Sequence, residues 1–173
     1  MIQLNSQWYC RSKKAPKKSD LRKFVHRAAE VAGLPVDPAW SCNILFVGDR
    51  RMAQMNMDLL GHEGTTDVIT FCYFEEGMPI EKGETMVELI VNPEAAAREG
   101  EKRPGGYCRE VALYIVHGML HSAGEDDLEE AVRRRMRRRE RECMSILENE
   151  FDLALLFPAL DTCSNHVYIM KQK

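Results

Sequence analysis

The stretch VHGMLHSAGEDD, residues 116–127, carries two histidines four residues apart, then a glycine and three consecutive acids. On a helix, positions i and i+4 project from one face about one turn apart, so the His117 and His121 imidazoles can share one metal ion. Gly124 suits a left-handed turn that ends the helix and folds the next residues back toward that face. Asp126 or Asp127 could then supply a third ligand. Two histidines and a carboxylate, with one position open to water, make a catalytic zinc set. The competing reading is a helix end whose two histidines are partly buried and bonded to carbonyls. A zinc-peptidase mechanism is disfavoured, because its H-E-x-x-H pattern puts the general base beside the first histidine, where this chain has Gly118.

The elements that must hold this stretch are legible as patterns. From Tyr107 to about Ser122 the apolar residues Val111, Leu113, Tyr114, Val116, Met119 and Leu120 wrap most of the way round, which predicts a helix central to the fold with the histidines on its last turns. DLRKFVHRAAEVAG predicts an amphipathic helix capped by Ser19 or Asp20 and stopped by Gly33. GDRRMAQMNMDLL predicts a second, capped by Asp49, with Met52, Met55 and Leu59 on one face. NPEAAAREG predicts a short helix with Asn92 as N-cap and Pro93 at its first position. A long helix is expected from Leu128 to about Glu148, with Leu128, Val132, Met136, Cys143, Met144 and Leu147 on its apolar stripe and most arginines outward. SCNILFV, DVITFCYF and TMVELIV read as strands, and the final NHVYIMKQK shows no clear period. The fold expected is α+β: a small mixed sheet of about three to four strands packed with five or so helices, and a metal site at the end of the central helix. One domain is expected over residues 1–150, followed by a C-terminal extension, 151–173.

Composition narrows the function classes. At 173 residues and 45% hydrophobic, the chain can bury one real core. Its longest apolar runs fall far short of the roughly 20 residues of a membrane span, and MIQLNSQWYC lacks the pattern of a secretory signal, so a cytoplasmic protein with no membrane partner is expected. Six cysteines, at positions 10, 42, 72, 108, 143 and 163, form no C-x-x-C pair and are expected to be reduced thiols. The net charge of −3 does not suit a protein that coats nucleic acid by bulk attraction. The basic residues are clustered, however: Lys13, Lys14, Lys17, Lys18, Arg22 and Lys23 early, and Arg133, Arg134, Arg135, Arg137, Arg138, Arg139 and Arg141 late. Such patches are either solvated faces or seats for phosphates.

HGMLHSAGEDD resembles the signature H-G-x-L-H-L-x-G-Y-D-H of the YbeY family of bacterial endoribonucleases, matching at His117, Gly118, Leu120, His121, Gly124 and Asp126. MNMDLLGHEGTTDVITF is similar to the family's L-N-x-x-Y-R-x-x-x-x-P-T-D-V-L-S-F segment, matching at Asn56, Thr66, Asp67, Val68 and Phe71. The likeness runs from about Asn43 to Glu148. It implies an endoribonuclease that matures ribosomal RNA, with one divalent metal ion, zinc by ligand type, and with ribosomal RNA and the small ribosomal subunit as partners. The family register makes the metal ligands His117, His121 and Asp127.

The departures from the family are as informative. Asp127 stands where the resemblance implies a third histidine, a harder and negatively charged ligand that relaxes any preference for zinc. Glu125 replaces a tyrosine, Thr65 a proline, and Val87 and Glu88 a glycine-aspartate pair. Leu60 replaces an arginine implied to face the cleft and the RNA, for which Arg50, Arg51 or His62 are candidate substitutes. Asp126 is expected to orient a histidine or cap the turn. The catalytic residues, including any general base, are left unassigned. Two other functions share these ligands: a ribosome-associated RNA-binding protein of the same fold with reduced or no nuclease activity, and a metal-dependent hydrolase of another substrate.

Overall fold

The structure is a computed structural model that describes residues 1–10, 14–75 and 77–160. Chain order is β1 (Gln3–Tyr9), α1 (Lys18–Ala32), β2 (Ser41–Val47), α2 (Asp49–Leu60), β3 (Val68–Cys72), β4 (Thr85–Val91), α3 (Pro93–Gly100), α4 (Gly106–Ser122), α5 (Glu130–Glu150) and the one-turn α6 (Leu153–Leu156). The four strands form one mixed sheet in the order β1-β2-β4-β3, with β3 antiparallel to β4 and the other pairs parallel. This is the α+β fold expected, with four strands and six helices among the described residues.

Strand periodicity divides the core. Cys42, Ile44 and Phe46 of β2 and Val87, Leu89 and Val91 of β4 turn to one face, where they meet Phe24, Val25 and Ala28 of α1 and Val111, Ile115 and Met119 of α4. Val47 and Ile90 turn to the other face and meet Met52 of α2 and Ile69 of β3. α4 is buried nearly all round, and α5 lies against it through the buried Met136, Cys143, Met144 and Leu147.

Gly118 explains how α4 lies so close to the sheet. A Cβ there would come 2.6 Å from Leu89 Cδ2 and 2.8 Å from Thr70 Oγ1. The glycine permits the helix to seat the histidines directly over β3 and β4, and a glutamate at this position would have nowhere to go.

The structure corrects several local expectations. β1 is an additional strand beyond the three read as such, a parallel edge to β2 in which only Leu4 is buried. Asp49 does not cap α2: Gly48 is the N-cap, and Glu94 Oε2 accepts from the Asp49 backbone N–H at 2.8 Å. The Asp49 carboxylate instead receives Arg98 and Asn92. Burial opposes its ionisation, but these donors hold its carboxyl below the usual range. α1 is capped by Lys17, with Ser19 and Asp20 inside its first turn. Leu128 precedes α5 and is 79% exposed, so it is not part of the apolar stripe. Asn92 is the N-cap of α3 as expected, accepting from the N–H groups of Glu94 and Ala95 at 3.1 and 3.2 Å.

Beyond residue 150, Phe151 and Phe157 both meet the Phe24 ring edge-on, at 5.3 and 5.5 Å between centroids. NHVYIMKQK, Cys163 and Lys13 lie outside the described residues. The other five cysteines are free thiols, with Cys42 and Cys143 buried. Among the described residues no helix is long and apolar enough to cross a membrane.

Candidate metal centre

α4 carries His117 and His121 on one face, and the chain stops there for the reason expected. Gly124 has φ of 87°, and the Glu125 N–H returns to the Leu120 carbonyl at 3.0 Å, closing the helix end with a left-handed residue. The Asp126 side chain accepts from the N–H groups of Asp127 and Leu128, at 2.7 and 3.3 Å. Asp126 therefore caps the turn rather than orienting a histidine. Asp127 is thereby aimed back at the helix, 4.0 Å from His117 Nε2 and 3.8 Å from His121 Nε2. Among the described residues His117, His121 and Asp127 form a group that could hold a metal ion, with one donor atom from each lying within 4.8 Å of the others.

The hydrogen bonds of the two rings suit a shared cation at this point. His117 Nδ1 faces Glu140 Oε1 at 2.7 Å, and His121 Nδ1 faces the Glu125 carbonyl at 3.0 Å. Both partners are acceptors, so each Nδ1 is placed to donate, and each Nε2 is turned toward Asp127 and the other ring. The two Nε2 atoms are 3.0 Å apart. When both rings are neutral and protonated on Nδ1, that spacing leaves both Nε2 lone pairs available to one shared cation. Tetrahedral ligands bound at roughly 2.0–2.1 Å lie about 3.3 Å from one another, so the imidazoles need little movement and Asp127 must draw in by about half an ångström. Burial of His117 works against its protonation, but the Glu140 hydrogen bond and the charges of Glu140, Asp67 and Asp127 outweigh it and raise its basicity.

Glu140 is a partner of the site that the sequence does not announce. It sits within the arginine run of α5, 23 residues from His117, and nothing local distinguishes it from a surface acid. An imidazole that donates to a carboxylate is fixed in tautomer and orientation and is a stronger ligand. Glu140→Gln is expected to lower metal affinity roughly 10- to 100-fold while leaving the fold intact. Competition against a chromophoric chelator measures this, and an unchanged affinity would reduce Glu140 to a helix–helix contact.

The walls around the triad differ. On one side His117 and His121 line a cleft of about 350 Å³ with Leu60, Val68, Ile69, Thr70 and Cys72. Leu60 thus stands on the site wall, and it brings no charge. Arg50 and Arg51 do not substitute for it: they line a separate groove with Asp49 and Glu94, where Arg51 covers the Tyr9 ring at 4.3 Å. His62 is exposed in the loop after α2 and lines neither wall of the triad. On the other side His117 and Asp127 open into a groove of about 600 Å³ between α4 and α5, bordered by Arg103, Arg133 and Arg137. Glu125 is occupied by Arg135 at 2.9 Å. Glu88 accepts from Asn43 and Tyr73 across the sheet, at 2.6 and 3.0 Å.

A family model described as Endoribonuclease YbeY matches residues 5–148. The chain belongs to the YbeY family. Endoribonuclease YbeY of Geobacter sulfurreducens is 30% identical over 131 residues, covering 75% of this chain and 85% of that one. Endoribonuclease YbeY of Chlorobium phaeovibrioides is 30% identical over 136 residues, with 79% and 86% covered. The solution structure of TM1509 from Thermotoga maritima shares the fold, with a TM-score of 0.55 and 21% identity over 87% of this chain and 91% of that one. Membership of the YbeY family supports an endoribonuclease, and therefore hydrolase, role.

Proposed function

We propose that this protein is a single-strand-specific, metal-dependent endoribonuclease of the cytoplasm that acts in ribosomal RNA processing and ribosome maturation, with ribosomal RNA and the small ribosomal subunit as its partners. The observation that carries the reading is the convergence of His117, His121 and Asp127 at an open cleft in a chain of an endoribonuclease family. These three residues are the proposed ligands of one divalent ion, zinc in the first instance. When bound, such an ion lowers the pKa of coordinated water and polarises a phosphate oxygen.

The protein's own residues divide the remaining work. Glu140 and the Glu125 carbonyl fix the two ring orientations. Asp127 adds the negative charge that two neutral imidazoles lack. Gly118 keeps the helix against the sheet, so the ligand pair is held by the core rather than by a loop. No general base is assigned.

A second reading, a ribosome-associated RNA-binding protein with little nuclease activity, is favoured by the apolar Leu60 wall. The two separate in one experiment: metal analysis of the purified chain, with cleavage of single- and double-stranded RNA measured across several divalent ions. Cleavage confined to single strands, abolished by a chelator and restored by metal, is expected. A metal-loaded chain that binds RNA without cutting it would overturn the nuclease reading in favour of the second.

A further inference from the structure

The arginines of α5 are not equivalent. Arg135 pairs with Glu125 at 2.9 Å. Arg139 donates to the Val31 and Ala32 carbonyls at the end of α1, both at 3.3 Å. Arg134 and Arg138 stand near Glu130 and Glu142, at 3.6 and 3.7 Å. Arg133 reaches back to the Asp127 and Leu128 carbonyls, at 2.9 and 3.0 Å, and so steadies the turn that presents Asp127. Among the described residues Arg137 and Arg141 alone in this run have no hydrogen bond or ion pair.

These two also occupy a particular place. Arg133, Arg137 and Arg141 are spaced i, i+4, i+8, one row on a helix face with about 6 Å between successive members. That is close to the separation of neighbouring phosphates along a nucleic-acid strand. The row borders a continuous groove. Its first part contains His117 and Asp127, its second contains Arg109, Arg141 and Met144, and the two parts share Arg103, Leu113, Arg137 and Glu140. The acids in the groove are largely committed: Glu140 to His117, Asp127 to the triad, and Asp67 to Thr66 and the Val68 N–H. Arg103 and Arg109 are likewise paired, with Glu110 at 3.0 Å and Glu148 at 2.6 Å. The guanidiniums in the groove that no acid or carbonyl of the protein engages are therefore those of Arg137 and Arg141. The opposite, Leu60, wall of the triad offers none.

We infer that the α4–α5 groove is a phosphate track that brings the backbone of a single-stranded polynucleotide to the His117 side of the triad, with Arg137 and Arg141 as its free guanidinium contacts. The inference rests on the endoribonuclease reading for the identity of the polymer. It differs from a diffuse basic face, because it assigns phosphate contact to two of seven arginines and predicts that their exposed neighbours contribute little. Charge-assisted contacts of this kind fix the path of a strand without reading its sequence.

The test compares two double variants of the metal-loaded full chain that remove the same charge from the same helix, Arg137→Gln with Arg141→Gln, and Arg134→Gln with Arg138→Gln. Binding of a cleavage-resistant 2′-O-methyl oligouridylate is measured over a series of salt concentrations. Each phosphate contact on a single strand contributes roughly 0.7 to the logarithmic salt slope, so the first variant is expected to flatten the slope by about 1.4 and the second by far less. Arg137→Lys with Arg141→Lys is expected to retain the slope, since charge and not packing is at issue. An equal change in both glutamine variants, no change in the first, or no binding by the unaltered chain would overturn the track. Cleavage of unmodified RNA by the unaltered chain, measured in parallel, tests the nuclease reading separately: failure to cut defeats that reading, and the difference between the slopes still decides the track.

Discussion

Replacing His121 with alanine is expected to abolish metal binding and leave the chain folded. The imidazole supplies one of only three protein donors that converge at the site among the described residues, so the cost in metal affinity should exceed the roughly 10- to 100-fold that accompanies loss of a ligand's supporting partner. The structural cost is small by comparison. His121 is only partly buried, and its one contact to the surrounding backbone is the Nδ1 hydrogen bond to the Glu125 carbonyl, whose loss removes about 1 kcal/mol. The packing of α4 rests on Val111, Ile115, Val116, Met119 and Leu120, all of them fully buried, and none of these changes. Metal content and circular dichroism measured on the same preparation check the prediction. Loss of helix together with metal would mean that the ion holds the fold, and would favour the binding-protein reading.

Leu60→Arg is expected to raise nuclease turnover, by roughly 10² to 10³ if a cation on that wall acts fully on the charge developing at phosphorus. The position is suited to it. Leu60 is 44% exposed, lines the cleft that holds both histidines and is the last residue of α2, so a longer side chain can enter without disturbing the core. Asp127→His is expected to act differently, shifting metal preference toward zinc with a smaller effect on rate, because it changes the ligand and adds no cation facing the phosphate. Rates and metal content for each variant and for the pair separate the two effects. Unchanged turnover in Leu60→Arg, with metal and RNA binding intact, would show that the charge on the α5 side already suffices or that the chain does not cut RNA.

Whatever depends on neighbours within a few residues is legible in the chain alone. The i, i+4 spacing of His117 and His121, the glycine that ends their helix and the return of Asp127 are local events on one stretch, and all appear in the fold. β2 and β4 show as runs of buried apolar residues, and α3 by its asparagine cap and proline. Other features come from packing. β1 alternates buried or half-buried with exposed residues and becomes a strand only through the ladder that β2 offers it. The role of Glu140 depends on α5 lying across α4, which brings together residues far apart in the chain. Two of the seven arginines of α5, Arg134 and Arg138, stand near i,i+4 acids of their own helix, but only the acids and carbonyls that other segments place beside Arg133, Arg135 and Arg139 complete the distinction of the two left facing the groove. Spacing along a helix fixes which side chains share a face, but what that face meets is set by contacts between segments distant in the chain, where the local pattern carries no information.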